Sequence, residues 1–443
     1  MAHGEILLSK ICDENAVKIL DRYGVLREHF ATEVERQAYD FIRKYANENG
    51  GKAPSYAALI EAVPDFVYVP DVTDSFEYLV RNLKHSAGKR QFAELVEKEL
   101  PKMFSQLDTD VLIDQLTKKL EDIKMGTSVR KTIGIDVVDD VDEFMSEYKA
   151  RKKGKSFKIW KSKFPSINEA IGGYYSSNMY TWYGRSGRGK SVIVMEDAAI
   201  EAAFQGATVL VWALEMGWYE WLARAYSSIS SRTGLMTADI DGIPMPAGFN
   251  ANRLRTGRMT EEYEKLFEVF AEQVNEIVPG KIILRAIDHP DFFDKSLRQL
   301  ESDIYETNAD VVVIDPFYYL DYERNTSRTT GGDAAATSMK LRLLAGKTGT
   351  VIHVITQADE DKADKKGDRE LNPPTRADIK KTTQLLEDAA ASFGIDTVAE
   401  EGRGIIVIGK GRDGGEDKWA ELIYLPKYGI VREVDPADEA RKF

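Results

Sequence analysis

Along the first 125 residues apolar side chains recur at three- and four-residue intervals, with almost no two-residue alternation of the kind a half-buried strand shows. Between 32 and 45, Val34, Ala38, Phe41, Ile42 and Tyr45 fall on one helical face. Thr32 stands where a helix N-cap belongs, and Gly50 and Gly51 end the run. Val111, Leu112, Leu116, Leu120 and Ile123 repeat the pattern. Stripes of this kind predict core-facing helices, so 1–125 is expected to be a small all-α domain with no catalytic constellation of its own.

The pattern changes over 126–160. A polar stretch leads into a segment that is acidic first and basic last, the order that complements a helix dipole, and it predicts a linker with one short helix. Val138, Val141, Phe144, Met145 and Tyr148 form a stripe that either seeks a groove elsewhere or packs back on its own chain; spacing alone leaves both open. The basic run 149–155 reads either as a nucleic-acid patch or as the solvated end of that helix.

From about 160 onward, short apolar runs alternate with helical segments. The runs lie at 179–183, 208–213, 281–284, 310–315, 350–355 and 404–408, and the alternation predicts a parallel sheet with helices on both faces. Two last runs around Pro426 and Lys427 read as a closing hairpin. One α/β domain is therefore expected over 161–443.

Composition narrows the setting. At 443 residues the chain is long enough for two or three domains, and 43% apolar with 30% charged residues is ordinary for a globular protein. Its one cysteine, Cys12, excludes an intrachain disulfide and a cysteine-rich zinc module, which points to a reducing compartment. No apolar run approaches the roughly 18 residues that span a bilayer, and the N-terminus lacks a signal-peptide layout, so no membrane partner and a cytoplasmic location are expected. A net charge of −13 argues against a surface that binds nucleic acid everywhere, while leaving room for a confined basic site.

The chemistry begins at 184–191, GRSGRGKS, which lies between an apolar run and a helical one. Gly184, Gly189, Lys190 and Ser191 satisfy the phosphate-loop spacing. The loop Gly184, Arg185, Ser186, Gly187, Arg188, Gly189, Lys190, Ser191 is thus a candidate cradle for a nucleoside triphosphate: glycines let backbone N–H groups turn inward and the following helix offers its positive end. Lys190 neutralises phosphate charge, and Ser191 gives a hydroxyl to Mg²⁺. The second half is DVVVID at 310–315, a doubly buried strand ending in Asp315, which would hold Mg²⁺ or its waters. ATP and Mg²⁺ are the expected cofactors.

Three further motifs follow in order: ALEM at 213–216, VITQ at 354–357 and GKGRD at 409–413. With the phosphate loop and the acidic strand, they resemble the DnaB-type hexameric replicative helicases, including those encoded by phages. The resemblance extends to the layout of helical domain, linker helix and motor, and so covers nearly the whole chain. It implies a RecA-like ATPase fold, with Glu215 as the catalytic carboxylate that orients water, Gln357 as the sensor of the γ-phosphate, and Lys410 and Arg412 reaching into a neighbouring subunit's site. Read as residues alone, Glu215 is also a helix-start acid, Gln357 a polar strand end, and Lys410 with Arg412 a basic turn.

The long polar segment 358–383 is the candidate DNA loop, with Arg376, Lys380, Lys381, Thr382 and Thr383 as contacts. A second polar loop, 323–332, adds Arg324 and Arg328. The resemblance further implies a homo-oligomer, a hexameric ring on single-stranded and forked DNA, 5′ to 3′ movement, and a separate primase and loader as partners. The sequence departs from the family pattern at 385–390, where LLEDAA replaces an acidic-glutamine-acidic run, and at Lys381 and Thr383. Two rival functions remain: a RecA-type strand-exchange ATPase, which shares the motor and forms filaments, and a non-motor ATPase that loads or regulates another helicase without unwinding.

Overall fold

The computed structural model describes residues 3–127, 137–138, 141–240, 243–326, 330–360, 370–379, 383–412 and 414–435. Its contacts divide into two compact units, Met1–Phe144 and Met145–Phe443.

The first unit is helical. Its longest helices are His3–Asp13, Glu33–Glu48, Phe76–Glu94 and Thr109–Thr127. Thr32 caps the second of these: its hydroxyl accepts the Glu35 N–H at 3.1 Å, and the Glu35 carboxylate accepts the Thr32 N–H at 3.0 Å. Such a reciprocal cap is worth about 1 kcal/mol. The same carboxylate accepts N–H groups from Ala31 and Gly4, which ties the first helix to the second. Ala38 and Ile42 are buried in one core with Leu7, Leu8 and Ile11, and Val34 and Phe41 pack at its margin.

The second stripe behaves otherwise. None of Val111, Leu112, Leu116, Leu120 and Ile123 is buried, and Val111 and Leu120 are exposed, against the expectation of core residues. Among the described residues, helix Thr109–Thr127 packs mainly on Phe76–Glu94 and Leu100–Gln106, so its apolar positions lack a second layer. The expected linker helix forms at Val141–Lys152, and none of its side chains is buried. Phe144 is 68% and Tyr148 52% exposed, so among the described residues these two positions of the stripe are left largely uncovered.

The second unit is built on a nine-stranded sheet. In chain order its strands are β1 (Met179–Gly184), β2 (Thr208–Ala213), β3 (Lys281–Ala286), β4 (Val311–Asp315), β5 (Val351–Gln357), β6 (Ala391–Val398), β7 (Arg403–Gly411), β8 (Trp419–Leu425) and β9 (Ile430–Glu433). Their spatial order is β9-β8-β7-β6-β1-β5-β4-β2-β3. The six strands from β6 to β3 are parallel, and β7, β8 and β9 extend the sheet in antiparallel fashion. Run 404–408 is thus antiparallel to its neighbours, unlike the parallel strand its position suggested: the four-residue connection from β6 allows only a hairpin.

Strand β6 itself escaped the sequence reading, because Gly394 and Asp396 interrupt its apolar pattern. It nevertheless lies beside β1 in the middle of the sheet. Side chains alternate between two cores, with Tyr180, Trp182, Val209 and Val313 on one face and Met179, Leu210, Trp212 and Val312 on the other.

Candidate active site

Because β1, β5, β4 and β2 are adjacent and parallel, their C-terminal ends fall on one edge. Gly184 lies opposite Gln357, and Ala213 lies opposite Asp315. Open α/β sheets collect their ligands at this edge. The loop leaving β1 turns at Gly187 and Gly189, whose φ angles of 68° and 82° favour glycine. A Cβ on Gly189 would also stand 2.7 Å from the Tyr424 hydroxyl. The chain is helical from Lys190 through Phe204, so the first N–H groups of that helix open toward the edge. Lys190 Nζ donates to the Arg185 carbonyl at 2.8 Å, which curls the ammonium over the loop.

A cavity of about 670 Å³ occupies the edge, lined by the loop from Ser186 onward and by Glu215, Asp315 and Gln357. Asp315 is the electrostatic centre. Burial pushes its carboxyl up to about 6; the Ser191 hydrogen bond and Lys190 oppose that shift, and nearby Glu215 adds to it. A buried carboxylate beside a hydroxyl and a second carboxylate suits a divalent cation, which would stabilise the ionised form that burial disfavours. The residues therefore fit Mg²⁺. Exposed Glu215 accepts a hydrogen bond from the Tyr318 hydroxyl at 3.3 Å, and burial together with that carboxylate raises the Tyr318 pKa and keeps it a donor.

Residues 160–429 match the model of the DnaB-like helicase C-terminal domain. The chain belongs to the DnaB-like helicase family. Among solved structures, a DnaB-like replicative helicase studied with its primase interactions is similar over 98% of this chain and 100% of its own, at 15% identity and a TM-score of 0.65. A second solved structure, an ATPase domain on its own, is similar over 68% of this chain and 100% of its own, at 17% identity and a TM-score of 0.51. At such identities the likeness is one of fold. No curated protein matches the sequence.

In this DnaB-like domain the structure separates residues that the sequence grouped as catalytic. Lys410 on β7 pairs with Ser392, which pairs with Thr181 of β1, three residues or about 10 Å along the strand from Gly184. Arg412 lies farther still: its Nη1 donates to Asn178 at 3.2 Å, six residues or roughly 20 Å from the phosphate end. Arg412 is exposed. Lys410 Nζ, by contrast, donates to the carbonyls of Leu386, Glu387 and Ala389 at 2.9, 2.6 and 2.9 Å. That geometry makes Lys410 an anchor for the C-terminal end of helix Gln384–Asp388 within its own chain.

Of the candidate DNA contacts, Arg324, Arg376 and Thr383 are exposed, while Arg328, Lys380, Lys381 and Thr382 lie outside the described residues. Both arms of the 358–383 loop are fixed. Ala358 pairs with Ile379, Asp359 N–H donates to the Asp378 carbonyl at 2.7 Å, and Ala358, Ile379, Leu386 and Tyr183 form a small apolar cluster. Gln357 lines the cavity and is bonded directly to Ala358, so the cavity and the loop are neighbours in the chain.

The sequence reading missed several cavity residues. Arg224, outside every motif named above, lines the cavity and pairs with Glu220 at 2.8 Å. Tyr424 and Lys427 enter from the antiparallel extension. No motif announces them, because they come to the site only through sheet order.

Proposed function

We propose that this protein is an ATP-dependent replicative DNA helicase that assembles as a ring, translocates on single-stranded DNA and unwinds the duplex at a fork. One observation carries the reading: the phosphate edge gathers Lys190, Ser191, Asp315, Glu215 and Gln357, while Arg412 stands roughly 20 Å from it. Arg412, held that far from its own chain's cavity, suits the site of a neighbouring subunit, which a ring would bring to it.

In this reading the glycine loop and Lys190 bind the triphosphate, Ser191 and Asp315 hold Mg²⁺, and Glu215, oriented by Tyr318, accepts a proton from the attacking water. Bound Mg²⁺ would neutralise charge on the β- and γ-phosphates. Gln357 senses the γ-phosphate and passes its state to 358–383, where Arg376, Lys380, Lys381, Thr382 and Thr383 grip phosphates without reading bases; Arg324 and Arg328 add a second channel loop.

Residues 1–125 form the collar, 126–160 the linker and 161–443 the motor. The exposed stripe of Val141–Lys152 suits a groove on a neighbouring subunit, and the exposed stripe on Thr109–Thr127 suits a collar partner such as a second copy, a primase or a loader. The described residues contain no helix long and apolar enough to cross a membrane. Replication of DNA would place the protein in the cytoplasm, of a bacterial host if it is phage-encoded.

Mass photometry with a non-hydrolysable ATP analogue and a forked oligonucleotide, followed by an unwinding assay on the same sample, tests the reading. Nucleotide-dependent hexamers that open the fork are expected. Filaments would favour strand exchange, and ATP-binding monomers that leave the fork closed would favour loading.

A further inference from the structure

The return arm of the 358–383 loop is tied to the phosphate loop by side chains that no step above uses. Buried Arg185 donates from Nη1 to the Asn372 carbonyl at 2.6 Å. The Asn372 N–H donates in turn to Asp396 Oδ2 at 2.8 Å. Asp396 is fully buried in β6; its Oδ1 accepts the Thr397 N–H at 3.0 Å and faces Arg188 Nε, 3.9 Å away. Arg185 and Arg188 both belong to the phosphate loop, so the contacts close a circuit from that loop through Asn372 and Asp396 and back. The leading arm is attached as well, through the Ala358 N–H to the Gly184 carbonyl at 3.0 Å.

A carboxylate in the middle of a sheet is costly unless it is paired, which explains the two N–H donors and the guanidinium around it. Arg188, however, also lines the cavity that receives the phosphates. A polyphosphate competes for that guanidinium with charge-assisted hydrogen bonds. As Arg188 turns to the phosphates, its charge is drawn away from Asp396, which shifts the balance of forces on the Asn372 N–H and so on the arm.

We infer that Asp396 is a positioning residue that couples nucleotide on the phosphate loop to the placement of arm 370–379, and thereby to the grip of the 358–383 loop on single-stranded DNA. The inference rests on the DNA reading of that loop given above. The relay would make DNA-stimulated turnover, rather than nucleotide binding, the property that depends on Asp396.

The test uses the full chain and reads the ratio of ATP turnover with and without a single-stranded oligonucleotide. In Asp396→Asn the ratio is expected to fall at least fivefold, while affinity for a fluorescent ATP analogue stays within twofold of wild type. Arg188→Gln, at a partly exposed position, is expected to lower the ratio similarly, and it carries the test alone if the buried substitution does not fold. A wild-type ratio in either folded variant overturns the relay. If the wild-type protein shows no DNA stimulation, the DNA reading fails instead, and hydrogen exchange of 370–379 decides the relay separately. With both proteins saturated with a fluorescent non-hydrolysable ATP analogue, as its own signal shows, exchange that responds in wild type but not in Arg188→Gln supports it; no response in wild type, or a response kept in the variant, overturns it.

Discussion

The two ends of strand β1 are finished in opposite ways. At Gly184 this chain gathers the loop, Lys190, Ser191, Asp315, Glu215 and Gln357, and acids balance bases around one cavity. At Asn178 the surroundings are cationic: Arg342 donates to the Ser177 carbonyl at 2.9 Å, Arg412 to the Asn178 side chain, and Lys410 to three carbonyls. Burial lowers the Arg342 and Lys410 pKa values, and Arg412 lowers both further. Asp388 acts on Arg342 and Lys410 in the opposite sense, and Glu387 on Lys410, while exposed Arg412 bonds a neutral amide and is the cation best placed to meet an anion from outside the chain. On the proposed reading that anion is the neighbour's triphosphate, and the difference between the two ends is the reason for assembly.

The strongest way to break this comparison is Arg412→Ala. Turnover is expected to fall by about 10³-fold or more with ATP affinity retained. Mixing that protein with Lys190→Ala protein should restore part of the activity, because each supplies the half-site the other lacks. Equal losses of ATP binding and turnover in Arg412→Ala, or no recovery on mixing, would place both ends in one site and end the comparison.

Glu215→Gln tests the phosphate end alone. A drop of about 10²- to 10⁴-fold in single-turnover hydrolysis is expected, with nucleotide still bound. Normal turnover would remove Glu215 from the chemistry.

Lys410→Ala sharpens the distinction between anchor and finger. Three carbonyls lose a charged donor, so denaturant unfolding should show a loss of roughly 1 to 3 kcal/mol. Turnover at a temperature where the variant is folded should fall far less than for Arg412→Ala. The reverse order would return Lys410 to the chemistry.

The smallest effect concerns pH. Asp197, on the helix behind the phosphate loop, is pushed up to about 6 by burial, against hydrogen bonds from Ser162, Tyr174 and the Lys163 N–H. A carboxyl whose folded pKa exceeds its unfolded one binds more protons when folded, so its contribution to stability rises as pH falls between those values. Relative to Asp197→Asn, the wild-type chain should gain about 1 kcal/mol between pH 7 and pH 5 in denaturant titrations. A gain of equal size in the variant would remove Asp197 as the source.

Much of this was written locally in the chain. The capping box at Thr32, the glycines of GRSGRGKS and the apolar run into Asp315 each report on a conformation set by a few neighbouring residues, so spacing alone identified the helical unit, the phosphate loop and the acidic strand. The sequence likewise exposed the ends of β2 and β5, at Glu215 and Gln357.

Only tertiary structure decided the rest. Strand β6 was illegible because Asp396 sits where a buried strand should carry an apolar side chain, and two of the groups that meet that carboxylate lie at 188 and 372, far away in sequence. Tyr424 and Lys427 reach the cavity because antiparallel strands fold back to the edge. The stripe at 111–123 had the right period for a core, yet a helix buries its apolar face only if a second layer exists. Lys410 and Arg412, two residues apart and indistinguishable as a basic turn, receive different partners from the packing of helix Gln384–Asp388 and of Asn178. Periodicity and motif spacing are properties of the local backbone, whereas the pairing of charges, the order of strands and the covering of faces depend on which distant segments meet.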